Sequence, residues 1–188
     1  MTSDVPHVAD PEIAAAVFAD HLGRVLAGPQ ARDHGWKFTV VDPLHAVVGL
    51  TATRPDGATD PYHVALGAEF YDVHPPTVKF VVPEPGCTGW PEAGATSRWL
   101  PALAGLDWFH VHATYGYAEP PPEYCASYRR PRQLVCCSMT LEYYISGHAP
   151  TDGQRWRQGR HTLGGTLARI QEALLSPQYQ GPAGADDS

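Results

Sequence analysis

The sequence predicts an α+β fold: an N-terminal helix, a four-stranded antiparallel meander and a C-terminal helix, with a long central insertion. Three observations carry this. Apolar residues recur at helical spacing over residues 11–27 and again over 162–175. Between residues 36 and 82 four short runs alternate at the strand period and are separated by turn residues. Residues 83–132 follow neither period and are rich in Pro, Gly and aromatic residues, which marks them as an insertion or irregular region. Helices placed before and after a meander, and not alternating with its strands, point to an antiparallel sheet with helices on one face.

Asp10 is the natural N-cap of the first helix, Pro11 suits its first position, and Gly28-Pro29 ends it. Ile13, Val17, Leu22, Val25 and Leu26 form the expected buried stripe, with His21 and His34 read as surface or capping residues. The first strand covers residues 36–41, with Trp36, Phe38 and Val40 on one face. The second covers residues 45–53 and leads into the turn residues Arg54, Pro55, Asp56 and Gly57. Residues 62–70 make the third, with Val64, Leu66, Ala68 and Phe70 alternating. Residues 77–82 make the fourth, with Val78 and Phe80 inward. Further strands are expected at residues 108–115 and 133–145, the second with a possible bend. Leu163, Leu167, Ile170 and Leu174 line one face of the last helix, which Thr162 can cap and Pro177 follows. Gly164 and Gly165 near its start suit a close approach by another segment.

The length of 188 residues suits one domain, residues 11–177, between a flexible N-terminus (1–10) and a flexible tail (178–188). With 43% hydrophobic and 18% charged residues the composition is that of a globular protein. A net charge of −7 argues against general nucleic-acid binding, which needs clustered cations, while Arg129, Arg130 and Arg132 leave room for a local basic patch. No run is long enough for a membrane span, and the first residues lack the pattern of a secretory signal. Four cysteines in a chain of this length do not make a disulfide framework, so reduced thiols and a cytoplasmic setting are expected. No cofactor-binding motif is present: there is no phosphate-binding loop, no dinucleotide fingerprint and no Gly-x-Ser-x-Gly.

Two motifs go further. Tyr71-Asp-Val-His-Pro75-Pro76-Thr-Val78-Lys-Phe80 sets a rigid Pro-Pro corner before a strand. Trp156, Thr162-Leu163, Ile170-Gln171, Leu174-Leu175, Pro177 and Pro182 follow in order at the other end. Together they resemble the ubiquitin-conjugating (E2, UBC-like) superfamily, in a divergent prokaryotic-type form, with Asp72 standing where the family has Pro. The resemblance is loose over residues 11–80, close over 156–182, and absent between. It implies a transferase that carries a ubiquitin-like modifier as a cysteine thioester and passes it to an amine or thiol. An activating enzyme and the modifier are the implied partners, with the first helix part of the partner surface and Trp156 a buttress of the site.

Such chemistry needs an accessible thiol whose ionisation is supported. Cys136 and Cys137 lead, since a hydrophobic pair followed by cysteine ahead of the Trp is the family's order; adjacent strand residues point to opposite faces, so one of the two is expected to be exposed. Cys137 is the first choice. It lies further from Trp156 than the family's cysteine does, making residues 140–154 an insertion. The family's oxyanion-binding Asn has no counterpart, because the chain contains no Asn. His110 and His112, on one face of a strand, are the candidates to assist. Two alternatives stand beside this one: a catalytically inactive variant that keeps the scaffold as a binding module, and a metal protein using His110, His112 and Cys125. Cys87 is the remaining thiol.

Overall fold

The computed structural model describes residues 9–81, 100–113, 133–146, 148 and 150–183. Helix α1 spans Pro11–Ala27, and the Asp10 carboxylate accepts from the Glu12 and Ile13 N–H groups at 3.0 and 3.2 Å, so the expected cap is present. Its buried face shares Leu22 with the expected stripe, and Val17 and Val25 are half-buried against the core. Ala14, Phe18, His21 and Leu22 turn inward, while Ile13 (62% exposed) and Leu26 (52%) face out. Tyr71 selects that face: Phe18 packs edge-on against its ring at 6.0 Å, and the His21 Nδ1 lies 2.5 Å from its hydroxyl. His21 is thus a buried, bonded residue and not the surface group expected, whereas His34, at the end of the short helix α2 (Pro29–Asp33), is exposed and stacks on Trp36.

The meander is as read: β1 (Lys37–Asp42), β2 (His45–Thr53), β3 (Thr59–Gly67) and β4 (Thr77–Phe80) pair antiparallel in that order. Ala46, Val48, Leu50 and Ala52 of β2 alternate inward, as do Tyr62, Val64 and Leu66 of β3. Two details depart from expectation. Val40 is 60% exposed, because β1 is an edge strand whose core cover runs out past Phe38 and whose register slips between Val40 and Asp42. Strand β3 stops at Gly67, and residues 68–70 turn, with the Tyr71 N–H donating to the Ala68 carbonyl at 3.0 Å.

A short helix α3 (Leu141–Ile145) precedes helix α4 (Leu163–Leu174), which lies across β2 and against α1. Leu163, Leu167, Ile170 and Leu174 are all buried in the main core, each such burial worth roughly 1.5–3 kcal/mol. Thr162 occupies the cap position without making the capping bond; the Leu163 N–H donates instead to the Tyr71 hydroxyl at 2.7 Å. Tyr71 therefore ties α1 to α4 through one oxygen. The expected close approach at the glycines is real, since a Cβ on Gly165 would sit 2.9 Å from the Met139 Cε.

The outer edge of β4 is sealed by side chains. Lys79 and Thr77 point to the face opposite the main core and are nonetheless buried. The Gln133 carboxamide reads the backbone of Phe80 as a paired strand would, accepting from its N–H (2.6 Å) and donating to its carbonyl (3.0 Å). The Glu142 carboxylate accepts from the Val78 N–H (3.1 and 3.2 Å) and pairs with the Lys79 ammonium at 3.2 Å. An unpaired strand edge is thereby closed without a fifth strand.

Residues 133–145 are not the single bent strand expected. Strand β7 (Leu134–Cys136) gives way to helix α3 (Leu141–Ile145). The reversal is fixed by Thr140, whose hydroxyl donates into the carbonyls of Val135 (2.5 Å) and Cys137 (2.9 Å), and by the Leu141 N–H, which donates to the Pro76 carbonyl. Burying Glu142 against Lys79 requires the helical turn. Of the strand expected at residues 108–115, His110–His112 form β6, paired antiparallel with β7, and residues 114–115 lie outside the described residues. The tail is ordered at its start: β8 (Tyr179–Pro182) pairs with β5 (Pro101–Leu103). Tyr179 holds it, its hydroxyl 2.8 Å from both Tyr62 and Asp60, with Arg54 doubly bonded to Asp60. Among the described residues no helix is long and apolar enough to cross a membrane.

Candidate functional site

The β6–β7 ribbon sorts the sequence's candidates onto two faces. Register pairs His110 with Cys136, Val111 with Val135 and His112 with Leu134. Directly paired residues share a face and neighbours alternate, so His110, His112 and Cys136 lie on one side and Val111 and Val135 on the other. Val135 and Cys137 belong to the main core, with Val111 packed against it. The expected common face for the two histidines is therefore observed, their rings 6.2 Å apart.

The same sorting separates the two cysteines. Cys137, the first choice from the sequence, is 2% exposed and core-facing. Burial pushes its thiol up to about 12, with the Met139 N–H and the Arg169 charge only partly countering it. A thiol held neutral and enclosed is a poor nucleophile. Cys136 is also mostly covered, at 6% exposure, and burial raises its thiol too. It differs in having a base for a neighbour: its Sγ lies 3.8 Å from the His148 Nε2.

His148 was not among the residues singled out from the sequence. It stands after α3, its Nδ1 lies 2.7 Å from the Ser146 Oγ, and its ring stacks on Tyr143 with centroids 4.8 Å apart. Cys136 and His148 share no helix or strand period, so only the reversal at Thr140 brings them together. The available signal was weak: a Ser-x-His group just downstream of a cysteine-bearing strand. On β6, burial lowers the His112 imidazole first, and the charges of His110 and His148 lower it further. The three imidazoles thus form one electrostatic group beside Cys136.

Trp156 is buried in the main core. Its indole N–H donates to the Asp72 carbonyl at 2.8 Å, its ring meets Tyr71 at 5.9 Å, and its backbone N–H donates to the Tyr144 hydroxyl at 2.7 Å. Asp72 accepts from the Gln158 side chain and the Gly159 N–H, both at 3.1 Å. Among the described residues no group of three or more His, Cys, Asp or Glu has an arrangement that could hold a metal ion. Cys87, Cys125, Arg129, Arg130 and Arg132 lie outside the described residues.

No protein-family model matches the chain, and no curated protein does.

Proposed function

We propose that this protein is a divergent E2-like carrier, which accepts a ubiquitin-like modifier as a thioester on Cys136 and passes it to an amine or thiol. The observation that carries the reading is the Cys136–His148 pair, a thiol with an imidazole nitrogen at 3.8 Å. The scaffold supports it: a helix, a four-strand antiparallel meander, the 71–80 corner, then Trp156 and a buried C-terminal helix follow in the order the resemblance implies. In loading, the Cys136 sulfur attacks the carbonyl carbon of the modifier's thioester on an activating enzyme. The new C–S bond forms and the activating enzyme's thiol leaves with a proton. His110, paired with Cys136 across the ribbon, is the side chain that stands in for the absent Asn as a donor to the oxyanion.

A second reading is an inactive variant that keeps the scaffold as a binding module. The cover over Cys136 and Cys137 favours it. Incubation with an activating enzyme and a ubiquitin-like modifier, followed by a non-reducing gel, separates the two. The carrier gives a thiol-sensitive adduct that persists in Cys137→Ala and disappears in Cys136→Ala. The module gives none, and an adduct surviving Cys136→Ala assigns the chemistry elsewhere.

A further inference from the structure

We infer that His148 is the general base of Cys136, held in the one tautomer that can serve by a relay through Ser146 to the carbonyl of Tyr143. The inference rests on Cys136 being the reactive thiol, and its geometry fixes the direction of each proton. The Ser146 hydroxyl has one hydrogen and donates it to the Tyr143 carbonyl at 2.9 Å. Its oxygen can then meet the His148 Nδ1, at 2.7 Å, only as an acceptor. Nδ1 consequently carries the imidazole proton, and Nε2 presents its lone pair to the Cys136 sulfur at 3.8 Å. The Tyr143 ring stacked on the imidazole holds its plane.

Such a chain suits a thiol that stays protonated at rest. Burial disfavours the free thiolate of Cys136, so a preformed ion pair is not what this site stores. As the sulfur attacks a carbonyl carbon, its proton passes to the His148 Nε2. The imidazolium is stabilised through Nδ1–H and Ser146, and the proton then goes from Nε2 to the leaving thiolate. Among the described residues, the other titratable groups near the pair include His110 and His112 on β6, Cys137 beside Cys136 and Tyr143 on α3. Burial acts on Cys136, whereas Glu142 acts on Cys137.

Alkylation by iodoacetamide tests this without any partner protein, with the modified cysteine located by peptide mass spectrometry from pH 5 to 10. Here the sulfur displaces iodide, and its proton passes through His148 to water. In the wild type the Cys136 rate should begin to rise at a lower pH than it does in His148→Gln. It should also fall about 2-fold in heavy water. His148→Gln should lower the neutral-pH rate by about 10-fold or more, the lower end of general-base effects, and leave only the alkaline rise. Ser146→Ala, which keeps the imidazole, should lower it less, with Ser146→Thr restoring it; this pair serves if His148→Gln fails to fold. A wild-type profile that rises only in the thiol range, or a native Cys136 that does not react, overturns the inference. A base-assisted profile with no modifier adduct would instead refute the carrier reading and leave this one intact.

Discussion

Glu142 offers the sharpest test of how this fold is held together. Its carboxylate and the Lys79 ammonium are both almost wholly buried and 3.2 Å apart. Two unit charges at that distance attract by about 5 kcal/mol at an effective dielectric near 20. Burial nonetheless pushes the Glu142 carboxyl up, outweighing the Lys79 charge and the Val78 N–H that pull it down. Desolvation therefore offsets much of the attraction, and the pair should be costly to break yet cheap to replace. Glu142→Gln keeps an acceptor for the Val78 N–H but removes the carboxylate charge that faces the buried Lys79 ammonium, and should cost about 3–5 kcal/mol. Adding Lys79→Met removes the ammonium charge as well and leaves the Gln133 carbonyl, a Lys79 acceptor, without this donor. The double variant should then sit only about 1–3 kcal/mol below wild type. Urea unfolding followed by tryptophan fluorescence measures all three. A Glu142→Gln protein as stable as wild type, or a double variant less stable than the single, would refute the reasoning.

Two further outcomes follow from local geometry. Burial lowers the His45 imidazole, but Glu69 at 2.7 Å and Asp42 at 2.8 Å more than compensate, so its folded value lies above the ordinary 6.5. A raised folded value means that this stabilisation is complete below 6.5 and is lost as pH rises through the higher folded value; the melting temperature of wild type relative to His45→Gln should fall over that interval and be flat below it. Gly67→Ala and Gly165→Ala should behave oppositely. A Cβ at position 67 would overlap the buried Thr77 Oγ1 and cost about 1–3 kcal/mol, measured by urea midpoints. At position 165 it meets only the flexible end of Met139, and the helix gains up to about 1 kcal/mol.

Local chemistry was legible wherever one segment answers to its own residues. The Asp10 cap, Pro11 and Gly28 bound α1, and strict alternation set β2. The apolar repeat at Leu163, Leu167, Ile170 and Leu174 defined α4 and its buried face. The failures share one cause. Which face of α1 turns inward depends on Tyr71, far along the chain, and the cap of α4 is that same hydroxyl in place of Thr162. Residues 141–145 become helix because Glu142 must reach Lys79 and Val78, which no window around residue 142 contains.

At the candidate site the division is the same. Strand alternation in the sequence already required Cys136 and Cys137 to part, and His110 and His112 to agree. What it lacked was the sign: which of the two faces is core. The tertiary structure decided that by packing Val135 and Cys137 against the main core, leaving Cys136 on the histidine side. It also supplied His148, which no periodicity links to Cys136. Secondary structure follows from neighbours in the chain, whereas a thiol meets its base only after a turn, here the one tied by Thr140, has folded one segment back on another.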